Sequence, residues 1–370
     1  MKVRIVDTLR GLEELENSWN RLASRCASPS LYSSYDYNRI AWKHFSSLKD
    51  SLFVLTLYEG SELKAVAPLC ISIQKIHHVP TRTIRFIADW EGDKPSITAA
   101  GCEEAAWDAI FIFLLKEFRH WEVLDLREQP RNSTFLSQCA FLNDRGFICE
   151  IAHDSTSYYV ALAGSWESYL AAVDPKVKEN WRNRGKKLRA LPKGLSVETI
   201  SQPEHMAEAL RRFAALEKMS WKGGAGISIY RDAALRRFYE EITFFLAKKA
   251  QTRIFFLKTG DEDIAGSLRY LYRDVVYSRH IAYNPRYAKL SPGTYLRTYE
   301  LQHFFGKGLR EYDMMGMPPD AGIPQHKIDW ATGTRETIRI YLFNNNLKML
   351  PIKWGKKIKS QLRDMVSACE

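Results

Sequence analysis

A strand, a tight turn and a second strand occur twice in this chain. VLTLYEGSELKAVAPL at 54–69 and FFLKTGDEDIAGSLRY at 255–270 have the same order, and WEVLDLRE at 121–128 pairs in the same way with LREYDMMG at 309–316. In each copy a helical stretch separates the hairpin from the later strand. Self-similarity at this spacing predicts two copies of one α/β unit. The length allows it, since 370 residues suit about two domains. The boundaries read as 1–155, 156–345 and a basic tail at 346–370.

Periodicity fills in each copy. The first opens with the strand KVRIV and a helix carrying Leu12, Leu15, Trp19 and Leu22 on one face. Phe53, Leu55 and Leu57 alternate with Val54, Thr56 and Tyr58, which suits a strand covered on both sides. In the second copy Ser201 and Glu204 form a capping box ahead of a stripe of Met206, Leu210, Phe213 and Leu216. A further helix from about Asp232 buries Leu235, Phe238, Ile242 and Phe245. Between them the loop WKGGAGISIY is rich in glycine. The tail places Trp354, Ile358, Leu362 and Met365 on one side of a basic helix, suited to packing on the protein or to weak contact with an anionic membrane surface.

A formal net charge of +11 favours anionic partners without choosing among nucleic acid, lipid headgroups and phosphorylated small molecules. The six cysteines show no C-x-x-C pair or zinc spacing, so free thiols in a reducing compartment are expected. The N-terminus has no signal-peptide core, and the longest apolar run, AIFIFLL at 109–115, is too short to span a bilayer. These features predict a soluble cytoplasmic protein with no metal.

SWESYL, KVKENWRNRGKKLRAL, EKMSWKGGAGISI, IAYNPRYAKLSPGTYL, GLREYDMMG and HKIDWAT stand in one order over about 160–335. In these motifs the chain resembles the GNAT acyltransferases, and within them the CelD-type branch, which is similar to the FemAB peptidyltransferases in pairing two GNAT-like units. The resemblance implies an α/β fold of two GNAT-like mixed-sheet units in tandem, with helices on both faces of each sheet and a degenerate first unit. It implies an N-acyltransferase that moves an acyl group, acetyl foremost, from acyl-CoA to an amino group of a sugar, amino acid or polysaccharide precursor by direct attack. The chain departs from the acetyl-CoA signature: Leu290 stands where Gln or Arg is usual, and Tyr295 where Gly or Ala is usual. Aminoacyl-tRNA therefore stays open as the donor of a FemAB-like peptidyltransferase. A non-catalytic module that binds anions or glycans is the reading from another class.

Acyl transfer needs a held donor, a neutral amine and a stabilised oxyanion. The loop Ser291-Pro292-Gly293-Thr294-Tyr295 opens a helix, whose free N–H groups and dipole suit a phosphate. Gly293 would let a pyrophosphate approach and Lys289 would add charge, while an ordinary cap with Pro292 in the first turn explains the same residues. His280 is a candidate base because its ordinary pKa lies near neutrality, Tyr283 a candidate acid for a leaving thiolate. Packing within the sheet is the plainer reading of both. The resemblance implies a site role for Asp313; a turn carboxylate is the alternative. Arg182, Arg184 and Lys186 lie in a basic helical run, with Trp221 and Lys222 before the glycines and His326 and Lys327 in PQHKIDW. All seven are candidate substrate-binding residues; solvated or core positions are the bland alternatives.

Overall fold

The computed structural model describes residues 1–27, 30–76, 79–131, 142, 147–220, 224, 226–317, 322 and 324–344. Two compact units emerge. The first is Met1–Asp154 joined by the chain from Glu336, and the second is Ser155–Arg335.

In the first unit the strands are β1 (Lys2–Val6), β2 (Ser51–Glu59), β3 (Glu62–Ile76), β4 (Val79–Phe86), the short β5 (Thr98–Ala99) and β6 (Val123–Pro130). β1 to β4 run antiparallel in succession, and β5 pairs with β3. β4 and β6 are parallel over only two residue pairs, Thr83 with Val123 and Ile84 with Leu124. The sixth strand of this order comes from far along the chain: β13 (Gly333–Phe343) pairs antiparallel with β6, Thr337 opposite Pro130 through Phe343 opposite Val123. Ile338, Ile340 and Leu342 thereby join Leu55, Leu57, Ile84, Phe86, Leu124 and the helix Glu103–Lys116 in one core.

The second unit repeats this pattern. β7 (Ile148–Ala161), β8 (Ser196–Ile200), β9 (Thr252–Thr259), β10 (Glu262–Tyr272), β11 (Val275–Tyr283) and β12 (Glu311–Met317) take the order β8-β9-β10-β11-β12-β7. β8 to β11 are antiparallel in succession, β11 and β12 are parallel, and β7 closes the order antiparallel to β12. Parallel pairing stops after Tyr277 opposite Asp313, so the two strands splay beyond it. Helices cover β10 and β11 on opposite faces. Gly266 lies so close to Leu216 and Phe213 that a Cβ would meet them at 2.9 and 3.1 Å, whereas Ser267, its neighbour in β10, bonds Glu300 of the helix Pro292–Phe304.

Several expectations change. The last strand, read as part of the second unit, pairs in register within the first, because its apolar alternation completes that sheet. No capping box forms at Ser201 and Glu204. A 3-10 turn, Pro203–His205, comes first, and the helix starts at Met206 with no side-chain cap. Cys26, Cys70 and Cys102 are free, but Cys149 is disulfide-bonded, so the expectation of free thiols throughout fails there. The basic tail lies outside the described residues. Among those described, no helix is long and apolar enough to cross a membrane.

Candidate functional site

Three short pieces of the second unit enclose a cavity of about 330 Å³. The helix Pro175–Arg189 supplies Asn180, Trp181 and Arg184; the start of the helix Pro292–Phe304 supplies Ser291, Thr294 and Tyr295; the turn around the helix Gln325–Ile328 supplies His326, Asp329 and Trp330. The first helix begins firmly: Asp174 accepts from the N–H groups of Lys176 and Val177, and Pro175 fills a position that needs no donor.

The second helix begins differently. Ser291 ends the 3-10 turn Pro285–Leu290 and adopts φ +50°, a left-handed conformation that turns one helix into the next. Its side chain does not cap. Instead its Oγ accepts from Arg184 Nη1 at 2.7 Å. The N–H groups of Gly293 and Thr294 have no intrahelical partner, since only from Tyr295, bonded to the Ser291 carbonyl at 3.1 Å, does the ladder begin. The free amide of Thr294, the helix dipole and a guanidinium therefore meet at one rim of the cavity, a combination that favours an anion.

Aromatic packing shapes the rest. Trp181 meets Trp330 edge-on at 6.0 Å, and Tyr169 donates to the Trp330 carbonyl at 2.6 Å. Gly185 packs against the Tyr295 ring, where an added Cβ would come within 3.0 Å. Arg189 donates to the Tyr295 hydroxyl at 3.2 Å. Beneath, the buried Arg297 donates to the His326 carbonyl at 2.8 Å. Residue 326 is exposed overall, but partial burial of its ring against the cavity wall, and then the cations Arg297 and Lys327, push its pKa down to about 4, so the ring is neutral at pH 7.

Five of the residues named from the sequence thus meet at the cavity: Arg184, Ser291, Thr294, Tyr295 and His326. Arg182, Lys186 and Lys289 are exposed and do not line it. Lys327 turns inward, its Nζ donating to the Met315 carbonyl at 2.9 Å. Gly293 is buried, and a Cβ there would face Tyr283 and Ile281 at 3.5 and 3.7 Å, toward the sheet and away from the cavity. Its φ is not left-handed. The expectation that this glycine clears a path for pyrophosphate is therefore corrected: it lets the helix seat on β11. Trp221 and Lys222 lie outside the described residues.

His280 sits on the opposite face of β11 from Ile281 and Tyr283, opposite Leu268 in register. Its Nδ1 lies 3.2 Å from Glu217 Oε1, and its Nε2 lies 2.6 Å from the Tyr239 hydroxyl. Glu217 is fully buried, and its other oxygen accepts from the Ile229 N–H at 2.8 Å. Arg279 Nε donates to the Tyr239 oxygen at 3.1 Å. Asp313, 2 % exposed, accepts from the Met315 N–H at 2.8 Å and from Ser157 at 3.2 Å, so it holds the β12 bulge in which Met315 has φ +67°.

Sequence reasoning missed Glu217, Tyr239 and the buried cluster below the cavity helix. There Glu300 accepts from Arg269 Nε and the Tyr312 hydroxyl, each at 2.6 Å, and from Ser267. Burial pushes the Tyr312 hydroxyl pKa up, which keeps it a donor. A signal for Glu217 existed: it extends the stripe Met206, Leu210, Phe213 by one helical step, a carboxylate on an apolar face.

A family model described as an acetyltransferase (GNAT) domain matches residues 175–327. The structure of FemX is similar, with a TM-score of 0.62 and 12 % identity over 95 % of this chain and 99 % of that one. So is that of a conserved protein of unknown function from Bacteroides thetaiotaomicron, with a TM-score of 0.55 and 12 % identity over 92 % and 100 %. At these identities the likeness concerns the fold. A search of curated proteins found no match.

Proposed function

We propose that this chain, a member of the GNAT superfamily through residues 175–327 with a FemAB-like tandem fold, is an N-acyltransferase that uses acyl-CoA. One observation carries the reading: the uncapped helix start at Ser291–Tyr295, with Arg184 bonded to Ser291, opens onto a cavity large enough for part of a phosphorylated donor. The amides of Gly293 and Thr294 and the Arg184 guanidinium hold phosphate oxygens. The thioester tail runs toward the splay of β11 and β12. An amino group, of a sugar, amino acid or polysaccharide precursor, attacks the thioester carbonyl; the C–N bond forms, the C–S bond breaks with its electron pair on sulfur, and the proton lost by nitrogen reaches the thiolate. Acetyl is the acyl group we favour, and the cytoplasm the setting.

Isothermal titration with coenzyme A, acetyl-CoA and longer thioesters tests this directly. Saturable binding that weakens in Arg184→Ala supports the reading. No binding of any thioester by the wild-type chain rejects it.

A second donor has its own support. The exposed Arg182 and Lys186 extend the basic helix outside the cavity, and the fold is similar to that of FemX. Aminoacyl-tRNA would use such a face, with affinity falling steeply as salt is raised. Filter binding of charged and uncharged tRNA beside the titrations separates the donors.

A further inference from the structure

Charge is unevenly matched in the layer beneath the cavity. Glu300 accepts from Arg269 Nε, from the Tyr312 hydroxyl and from Ser267, so its carboxylate is already engaged. Arg297 lies one turn earlier on the same helix, Pro292–Phe304, and is 4 % exposed. Among the described residues no carboxylate lies within ion-pair reach of it. Its one hydrogen bond there runs from Nη1 to the His326 carbonyl at 2.8 Å, and its Nε is buried with no partner. Burial opposes the charge on both guanidiniums. For Arg269 the Glu300 carboxylate more than offsets burial and the pKa is raised; for Arg297 burial prevails and the pKa is lowered. Both still keep their protons, so two cations share one anion. A neutral donor would serve the His326 carbonyl as well, so the fold does not need this charge.

Arg297 meets the cavity wall at two points. Thr294 stands one helical turn before it, and His326 is the residue whose carbonyl it holds; both line the cavity. The lining itself is balanced. Its one acidic residue, Asp329, accepts from Gln325 at 2.6 Å, and its one cation is Arg184. Lys327, the other cation beside His326, donates to the Met315 carbonyl. The charge of Arg297 therefore adds to the dipole of the helix start and to no ion pair.

We propose that Arg297 is a buried charge kept for the anion in the cavity: through the wall of Thr294 and His326 it strengthens the hold of the Thr294 N–H and of Arg184 on a phosphate, without touching it. The reason is dielectric. A charge inside the protein is screened far less than one at the rim, so it acts across the width of a side chain. Left unpaired, the same charge destabilises the empty fold, and a bound anion offsets that cost. This rests on reading the cavity as the phosphate site of an acyl donor, but the role of Arg297 holds for any anion bound there.

Titration calorimetry of the full chain with inorganic pyrophosphate and with coenzyme A, beside urea melts in phosphate-free buffer, tests this in wild type, Arg297→Met and Arg297→Lys. Arg297→Met should weaken both ligands about 10- to 30-fold and leave the ligand-free urea midpoint unchanged or higher. Arg297→Lys keeps the charge and should bind within about threefold of wild type. The loss in Arg297→Met should persist from about 0.05 to about 0.5 M salt, whereas the loss in Arg184→Ala, at the open rim, should shrink. Unchanged affinity in Arg297→Met would overturn the proposal. A lowered midpoint or an unfolded Arg297→Met chain would do the same, because the charge would then serve the fold. So would Arg297→Lys binding as weakly as Arg297→Met, because the fork on the His326 carbonyl would then be what matters. If pyrophosphate binds and weakens in Arg297→Met but no thioester binds, the acyltransferase reading fails and the assignment of Arg297 stands. If thioesters bind wild type and Arg297→Met alike, the assignment fails and that reading stands. A wild-type chain that binds no anion at all rejects both.

Discussion

The two units share a strand order but not the helix start that matters. In the second unit, the helix that follows the splaying strand begins at Ser291-Pro292-Gly293-Thr294, with no acidic residue in its first turn and Arg184 at its rim. In the first unit, the corresponding helix, Glu103–Lys116, begins with Glu103 and Glu104 behind Cys102, which makes no side-chain cap. Two carboxylates there complement the dipole internally and repel a phosphate. The same strand order thus carries two helix starts of opposite electrostatic character, and under the proposed reading only the second suits a phosphorylated donor.

Ways to break this contrast follow, from the largest effect expected to the smallest. A chain ending at residue 155 lacks the strand that buries Ile338, Ile340 and Leu342 at 5 % exposure or less. At about 1.5–3 kcal/mol for each such side chain, the loss rivals a domain's whole stability. That fragment should show no cooperative urea transition, and one that folds cooperatively would break the assignment of β13. Next, Arg269→Met strands the fully buried Glu300 and should cost about 3–5 kcal/mol in denaturant titration. Asp125→Asn removes the counterpart pair with Arg339, whose guanidinium side chain is 30 % exposed, and should cost only about 1–2 kcal/mol. Third, Arg184→Ala should weaken donor binding roughly 10- to 100-fold, the worth of a charge-assisted contact. Glu103→Gln with Glu104→Gln should leave calorimetric donor affinity unchanged.

The units should also answer pH with opposite signs. His326 has a depressed pKa near 4, so its neutral form stabilises the fold above the ordinary value of 6.5, and that contribution is lost as pH falls toward 4. Burial, and then Asp93, push Glu128 in the first unit up to about 7; its protonated form stabilises below the ordinary 4.5, and that contribution is lost as pH rises through 7. Thermal melts from pH 4 to 7.5 should therefore flatten in opposite directions in His326→Asn and Glu128→Gln. The smallest effect belongs to Gly293→Ala. Its Cβ meets only ordinary contacts, so stability should change by less than about 1 kcal/mol and donor affinity by less than about twofold. A large loss of affinity would mean that the space beside Gly293, and not only its N–H, serves the donor.

Local chemistry made part of this legible. Alternation marks β2, the strand-turn-strand pattern marks β10, and Ser291-Pro292 marks a helix start, because all three are properties of neighbouring residues. The exchange of final strands could not be read, since β13 pairs with β6 across most of the chain and no local period records a partner so distant. Arg184 and Lys327 differ for a similar reason. Both looked like surface cations, yet one reaches Ser291 and the other turns inward to the Met315 carbonyl, and only packing decides between these ends. Glu217 was passed over although it extends an apolar stripe by one helical step, and its partner on β11 leaves no local trace.

The late arrival of β13 has a consequence during synthesis. On the ribosome, the first sheet stays open at β6 until Phe343 has emerged, after the entire second unit has been made. At about 5–20 residues per second the wait is on the order of ten seconds or more, with an unpaired strand edge available to neighbouring nascent chains. For this protein, vulnerability to aggregation is greatest before translation ends, and the half made first is the half finished last.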